Sequence, residues 1–95
     1  MIVRDIKIKD KIAKGIEIPM PNAPLVLVIA EKGYLMCGYL NIQTSEKLGD
    51  CACVIKGVKN IDELLKGIVV ELTEPAKKAG IKTGMIGLEA LSKMI

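Results

Sequence analysis

Residues 25–40 read L-V-L-V-I-A-E-K-G-Y-L-M-C-G-Y-L: two apolar runs joined at Lys32-Gly33. Runs of this length broken by a short turn containing Gly predict a β-hairpin, with Gly33 supplying a positive φ. A turn at Lys32-Gly33 sets Glu31 opposite Tyr34, Ile29 opposite Met36, Val28 opposite Cys37 and Leu25 opposite Leu40. Alternation then puts Leu25, Leu27, Ile29, Tyr34, Met36 and Leu40 on one face and Val26, Val28, Ala30, Leu35, Cys37 and Tyr39 on the other. Both faces are apolar, whereas a half-exposed antiparallel hairpin carries polar residues on one side. This hairpin is therefore expected to be covered on both faces.

Upstream, Ile2 to Ile8 and Ile12 to Ile18 alternate aliphatic and polar residues about Lys9-Asp10-Lys11. They predict a half-buried edge hairpin whose isoleucines Ile12, Ile16 and Ile18 share one face, with Ala13, Gly15 and Glu17 on the other, the outer face being polar enough for a sheet edge. The prolines of residues 19–24 cannot continue a ladder and predict a loop. Downstream, Asn41 caps a short helix ending at Gly49, and Asp50 to Lys56 reads as a strand apolar on both faces. Asn60 opens a helix with Asp62 and Glu63 in its first turn, Lys66 in its last and Gly67 at its end. Ile68 to Leu72 reads as a sixth strand, and Thr73 as the cap of a helix closed by Gly80. Thr83 to Ile95 reads as a final amphipathic helix with Glu89 and Lys93 as an exposed i,i+4 pair.

The sum is one α+β domain over residues 1–95: a two-layer sandwich of a mainly antiparallel sheet, about six strands, with short helices on one face. A chain of 95 residues has a modest interior, yet 51% of it is hydrophobic and its two aromatic residues are both Tyr. Its mean hydropathy is +0.38. That much aliphatic surface in so short a chain predicts a homo-oligomer.

Charge excludes more than it assigns. The net charge of +3 comes from 14 basic and 11 acidic residues, and Arg4 is the lone Arg. A nucleic-acid surface favours Arg and stacking aromatics, so none is expected here. No uninterrupted apolar stretch approaches the ~18 residues of a membrane-spanning helix. Charges interrupt the first dozen residues, unlike a secretory leader, so a cytoplasmic setting is expected, with Cys37, Cys51 and Cys53 reduced.

Taken together, G-Y-L-M-C-G (residues 33–38), G-V-K-N-I-D-E-L-L (57–65) and G-I-K-T-G-M-I-G-L-E-A-L (80–91) resemble the YunC-like family of small bacterial and archaeal proteins. The resemblance runs over nearly the whole chain and implies a compact α+β fold. It brings no activity with it. Cys37 and Gly38 fall within the family pattern, whereas Cys51 and Cys53 do not.

Two sets of residues invite chemistry. Cys37 is the candidate nucleophile, but a thiol needs a cation, helix end or base to lower its pKa, and the chain has no His. The leading reading of Cys37 is packing, as a small buried side chain on a central strand. Lys82, Thr83, Gly84 and Met85, read as a helix N-terminus, would offer free amides to an anionic small molecule. Their glycine spacing matches neither a Walker loop nor a dinucleotide fingerprint, and Thr83 as a plain helix cap is the competing reading. Cys51 and Cys53 lie on one strand face, but three Cys without His fall short of a tetrahedral metal site, so no metal and no cofactor is expected. The leading expectation is a homo-oligomeric binding or assembly module rather than an enzyme. The alternative is a thiol-dependent enzyme or anion binder using Cys37 together with Lys82-Thr83-Gly84.

Overall fold

The computed structural model describes residues 1–95. Six strands form one sheet in sequence order: β1 (Ile2–Ile8), β2 (Lys11–Ile18), β3 (Leu25–Ile29), β4 (Tyr34–Met36), β5 (Ala52–Val54) and β6 (Glu71–Leu72). Four short helices are added, α1 (Ile42–Leu48), α2 (Ile61–Lys66), α3 (Glu74–Lys78) and α4 (Gly87–Ser92). The architecture is α+β, with every strand pair antiparallel except β4 and β5. Parallel neighbours need a crossover, and α1 supplies it.

The main core lies on the sheet face carrying Val26, Val28, Leu35, Cys37 and Cys53. It is closed by Ile61 and Leu64 of α2, Ala76 of α3, and Ala90 and Leu91 of α4. The crossover helix α1 is the exception to helices on that face. It packs Ile42 against Met36, Ala52 and Val54, on the opposite side. The two-faced apolar character of residues 25–40 is thus satisfied near β4 and β5 by helices above and below.

Helix signals in the chain act as read. Asn41 Oδ1 accepts from Gln43 N at 2.8 Å, and Gly49 ends α1 at φ 77°. Asn60 Oδ1 accepts from Glu63 N at 2.8 Å, while Glu63 Oε1 accepts from Lys59 N, so two otherwise unmatched donors are used reciprocally. Thr73 caps α3 and Gly80 follows it at φ 93°.

Three local expectations are corrected. The central turn is four residues, Ala30 to Gly33, closed by Ala30 N donating to Gly33 O at 2.8 Å. Ile29 therefore pairs with Tyr34 and Leu27 with Met36. The register moves by two, so each residue keeps its face. Gly33 is absent from the glycines with positive φ. It is required instead by close approach, since a Cβ there would sit 2.5 Å from Cys51 O.

The second correction concerns β2. Its turn is the two-residue Lys9-Asp10, with Lys9 at φ 56° and Ile8 paired to Lys11. That pairing turns Ala13 and Gly15 toward the core and Ile12, Ile16 and Ile18 away from it. Gly15 gives room to α2, because a Cβ there would meet Ile61 Cδ1 at 2.9 Å. Glu17 Oε1 accepts from Ile61 N at 2.8 Å and fixes the same docking. Small residues inward and isoleucines outward are the reverse of what the alternation pattern alone suggests.

The third correction is at the C-terminal end. Thr83 and Gly84 form a turn, Ile86 makes an isolated antiparallel bridge to Ile68, and α4 begins at Gly87. Gly87 starts the helix where a Cβ would come 2.4 Å from Leu64 O, so α4 can approach α2 only through this glycine.

Candidate functional site

The candidate nucleophile Cys37 lies directly after β4 in the main core. Its amide donates to Val26 O at 3.1 Å and its Sγ accepts from Val26 N at 3.3 Å, so backbone and thiol both bind the neighbouring strand. Cys37 also forms one wall of a cleft of about 280 Å³ bordered by Pro24, Gly38, Tyr39, Gly57 and Val58. Tyr39 OH donates to Ala23 O at 3.1 Å across its rim. The blocks at residues 33–38 and 57–65 therefore converge at one place in the fold. The cleft lacks a His, a carboxylate and a Lys that would activate the thiol.

Lys82, Thr83, Gly84 and Met85 are elsewhere. Thr83 borders a different hollow, of about 350 Å³, with Ile42, Glu46 and Lys77. The anion site expected of these residues loses two of its amide donors: Gly84 N donates to Val69 O at 2.9 Å and Met85 N to Lys82 O at 3.2 Å. With α4 starting at Gly87, the four residues do not form a helix N-terminus. The helix end in this hollow belongs to α3, whose Glu74 N already donates to both carboxylate oxygens of Glu46, at 2.9 and 3.2 Å. Cys37 and Thr83 thus border separate hollows, and the pairing of thiol with anion anchor is not assembled in one cleft.

Cys51 and Cys53 sit on β5 and its approach. Burial pushes the Cys53 thiol up to about 12, with the neighbouring Cys51 adding to the shift. Burial raises Cys51 as well. Both are held neutral, the opposite of what a nucleophile or metal ligand needs. No group of three or more Cys, Asp or Glu side chains converges as a metal-binding set.

A polar cluster that pattern reading missed joins α1 to the sheet. Tyr34 OH donates to Asp50 Oδ2 at 2.8 Å and lies 2.6 Å from Ser45 Oγ. Partial burial raises the Tyr34 pKa, keeping the phenol protonated. Ser45 is buried, and this contact gives its hydroxyl a partner. Thr73 Oγ1 continues the links by donating to Asp50 O at 2.6 Å and accepting from Ala52 N at 3.1 Å. The signal available in the sequence was Tyr34 standing alone among aliphatics, since a half-buried phenol demands a partner.

The sheet face away from α2 leaves aliphatic side chains without a cover. Val3, Ile12 and Ile29 are 56%, 60% and 42% exposed, with Ile16 and Ile18 partly buried among them. Helix α1 covers this face only over β4 and β5. Asp5 and Lys14 stand in its middle as an ion pair.

A six-stranded, mostly antiparallel sheet with one crossover helix and three helices on the other face defines the class. Residues 36–94 match the DUF1805 family, a domain of unknown function, and the chain belongs to that family. Among its relatives is the uncharacterised protein YunC of Bacillus subtilis strain 168, 36% identical over 85 residues, which span 85% of this chain and 84% of that protein. A crystal structure of a protein of unknown function from Thermoplasma acidophilum is 39% identical and superposes with a TM-score of 0.93, covering 98% of this chain and 91% of that one. The bacterial and archaeal kinship suggested by the three sequence blocks is thereby shown. No helix is long and apolar enough to cross a membrane.

Proposed function

We propose that this protein is a non-catalytic assembly module that associates with further copies of itself through the bare face of β1 and β2. The supporting observation is the orientation of β2. It turns Ala13 and Gly15 inward and presents Ile12, Ile16 and Ile18 on the side no helix covers. Burying each such side chain is worth roughly 1.5–3 kcal/mol, so a few of them in one patch favour association. Its setting in this reading is the cytoplasm, where Cys37, Cys51 and Cys53 stay reduced.

Size-exclusion chromatography with light scattering tests the reading. Wild-type protein should elute at two or more times the 10.3 kDa chain mass. The Ile16→Lys variant, altered at a partly exposed position, should keep its circular dichroism spectrum and elute as a monomer. A wild-type monomer at all soluble concentrations would sink the proposal.

A further inference from the structure

We propose that the self-association is isologous and two-fold, with Asp5 of each copy facing Lys14 of the other. The inference rests on the assembly reading and adds to it the symmetry and charge pattern of the interface. Across β1 and β2 the outward-facing residues are in three facing pairs: Val3 with Ile16, Asp5 with Lys14, and Lys7 with Ile12. A two-fold axis parallel to these strands, running between them, exchanges the members of every pair. It lays valine on isoleucine, carboxylate on ammonium, and the alkyl stem of Lys7 on Ile12.

Two other axes in the plane of the face fail on charge. An axis along β2 brings Lys14 onto its own copy. An axis across the strands through the central pair brings Asp5 onto Asp5 and Lys14 onto Lys14. Like charges meeting within an apolar patch are strongly unfavourable, while alternating charges around a two-fold satisfy one another. An isologous interface needs a self-complementary patch, and this face is self-complementary about the axis between β1 and β2. The same pattern selects the occupant. A face that sets the anion Asp5 beside Lys14 amid aliphatics, with Lys7 at its end, is matched pair by pair by a second copy, whereas a uniformly anionic membrane or nucleic acid would meet Asp5 with like charge.

Charge reversal in two separate proteins tests this. Asp5→Lys carries two cations at the centre of the patch, and Lys14→Asp carries two anions. Both substitutions lie on exposed strand positions and break a surface ion pair that contributes little to folding. Each variant alone should dimerise at least about tenfold more weakly than wild type. An equimolar mixture, with one partner isotope-labelled and read by native mass spectrometry, should restore dimers of mixed mass. Variants that dimerise alone as well as wild type, or a mixture that stays monomeric beside a dimeric wild type, would overturn the proposed symmetry and leave association by the aliphatic face standing. A monomeric wild type would overturn both.

Discussion

Gly87→Ala is a direct test of how α4 is seated. The added Cβ would lie 2.4 Å from Leu64 O, 2.8 Å from Ile55 Cδ1 and 3.1 Å from Leu65 O. The Ile55 methyl can swing aside, but the two carbonyls belong to α2 and move only if a whole helix moves. Overpacking of this kind costs about 3 kcal/mol at the upper end of the usual range. Replacing Gly by Ala in a helix returns up to about 1 kcal/mol, leaving a net loss of about 2 kcal/mol. For a chain of this size each kcal/mol lowers the melting temperature by roughly 4–8 °C, so the loss is about 8–16 °C. Differential scanning calorimetry reads it, with Gly38→Ala as the control, because a Cβ there meets only Lys56 Cγ at 3.6 Å. If Gly87→Ala melts within about 2 °C of wild type, the close approach of α4 to α2 is not the constraint described, since a loss of even 1 kcal/mol would exceed that shift.

Two further outcomes follow from the polar and thiol groups. Tyr34→Phe removes the hydroxyl that serves both Ser45 and Asp50 and leaves the buried Ser45 hydroxyl without its partner. It should cost about 1–3 kcal/mol in chemical denaturation and speed amide exchange in α1, and unchanged exchange there would show that the cluster does not anchor the helix. Cys53, neutral until about pH 12 when folded, ionises near 8.5 when unfolded. In that window the unfolded state binds fewer protons, so stability should decline as pH rises from about 8.5 toward 12. Cys53→Ala should flatten that decline in alkaline urea titrations, and identical slopes in the two proteins would refute the linkage.

Where local chemistry is self-contained, the fold was legible from the chain. Asn41, Asn60, Thr73 and Gly49 each announce a helix boundary through a hydrogen bond or backbone angle that involves only their near neighbours. The double-sided burial of β4 was legible too, because alternation survives a register change of two, whereas the outer face of β3 stays partly bare at Ile29. The parity of β2 was not. It depends on one residue more or fewer in the Lys9-Asp10 turn, and on the fit of Ile61 against Gly15 from a distant helix. The start of α4 was hidden for a similar reason: Thr83 is a good cap, but Gly84 N is drawn to Val69 O instead. Among the candidate site residues, Cys37 and the glycines flanking its cleft were visible as motif positions, whereas their distance from Thr83 is a property of the assembled fold alone.

The inverted β2 also bears on how the chain finds its structure. A slip of this strand by one residue would carry Ile12, Ile16 and Ile18 inward and Ala13 and Gly15 outward, which a bare hydrophobic collapse rewards. The native alternative is decided partly by Glu17 accepting from the Ile61 amide, a contact spanning 44 residues. During synthesis the N-terminal hairpin emerges well before α2, so for that interval nothing from α2 discriminates between its two pairings. Docking of Ile61 fits only the hairpin that offers Gly15 on the side facing α2.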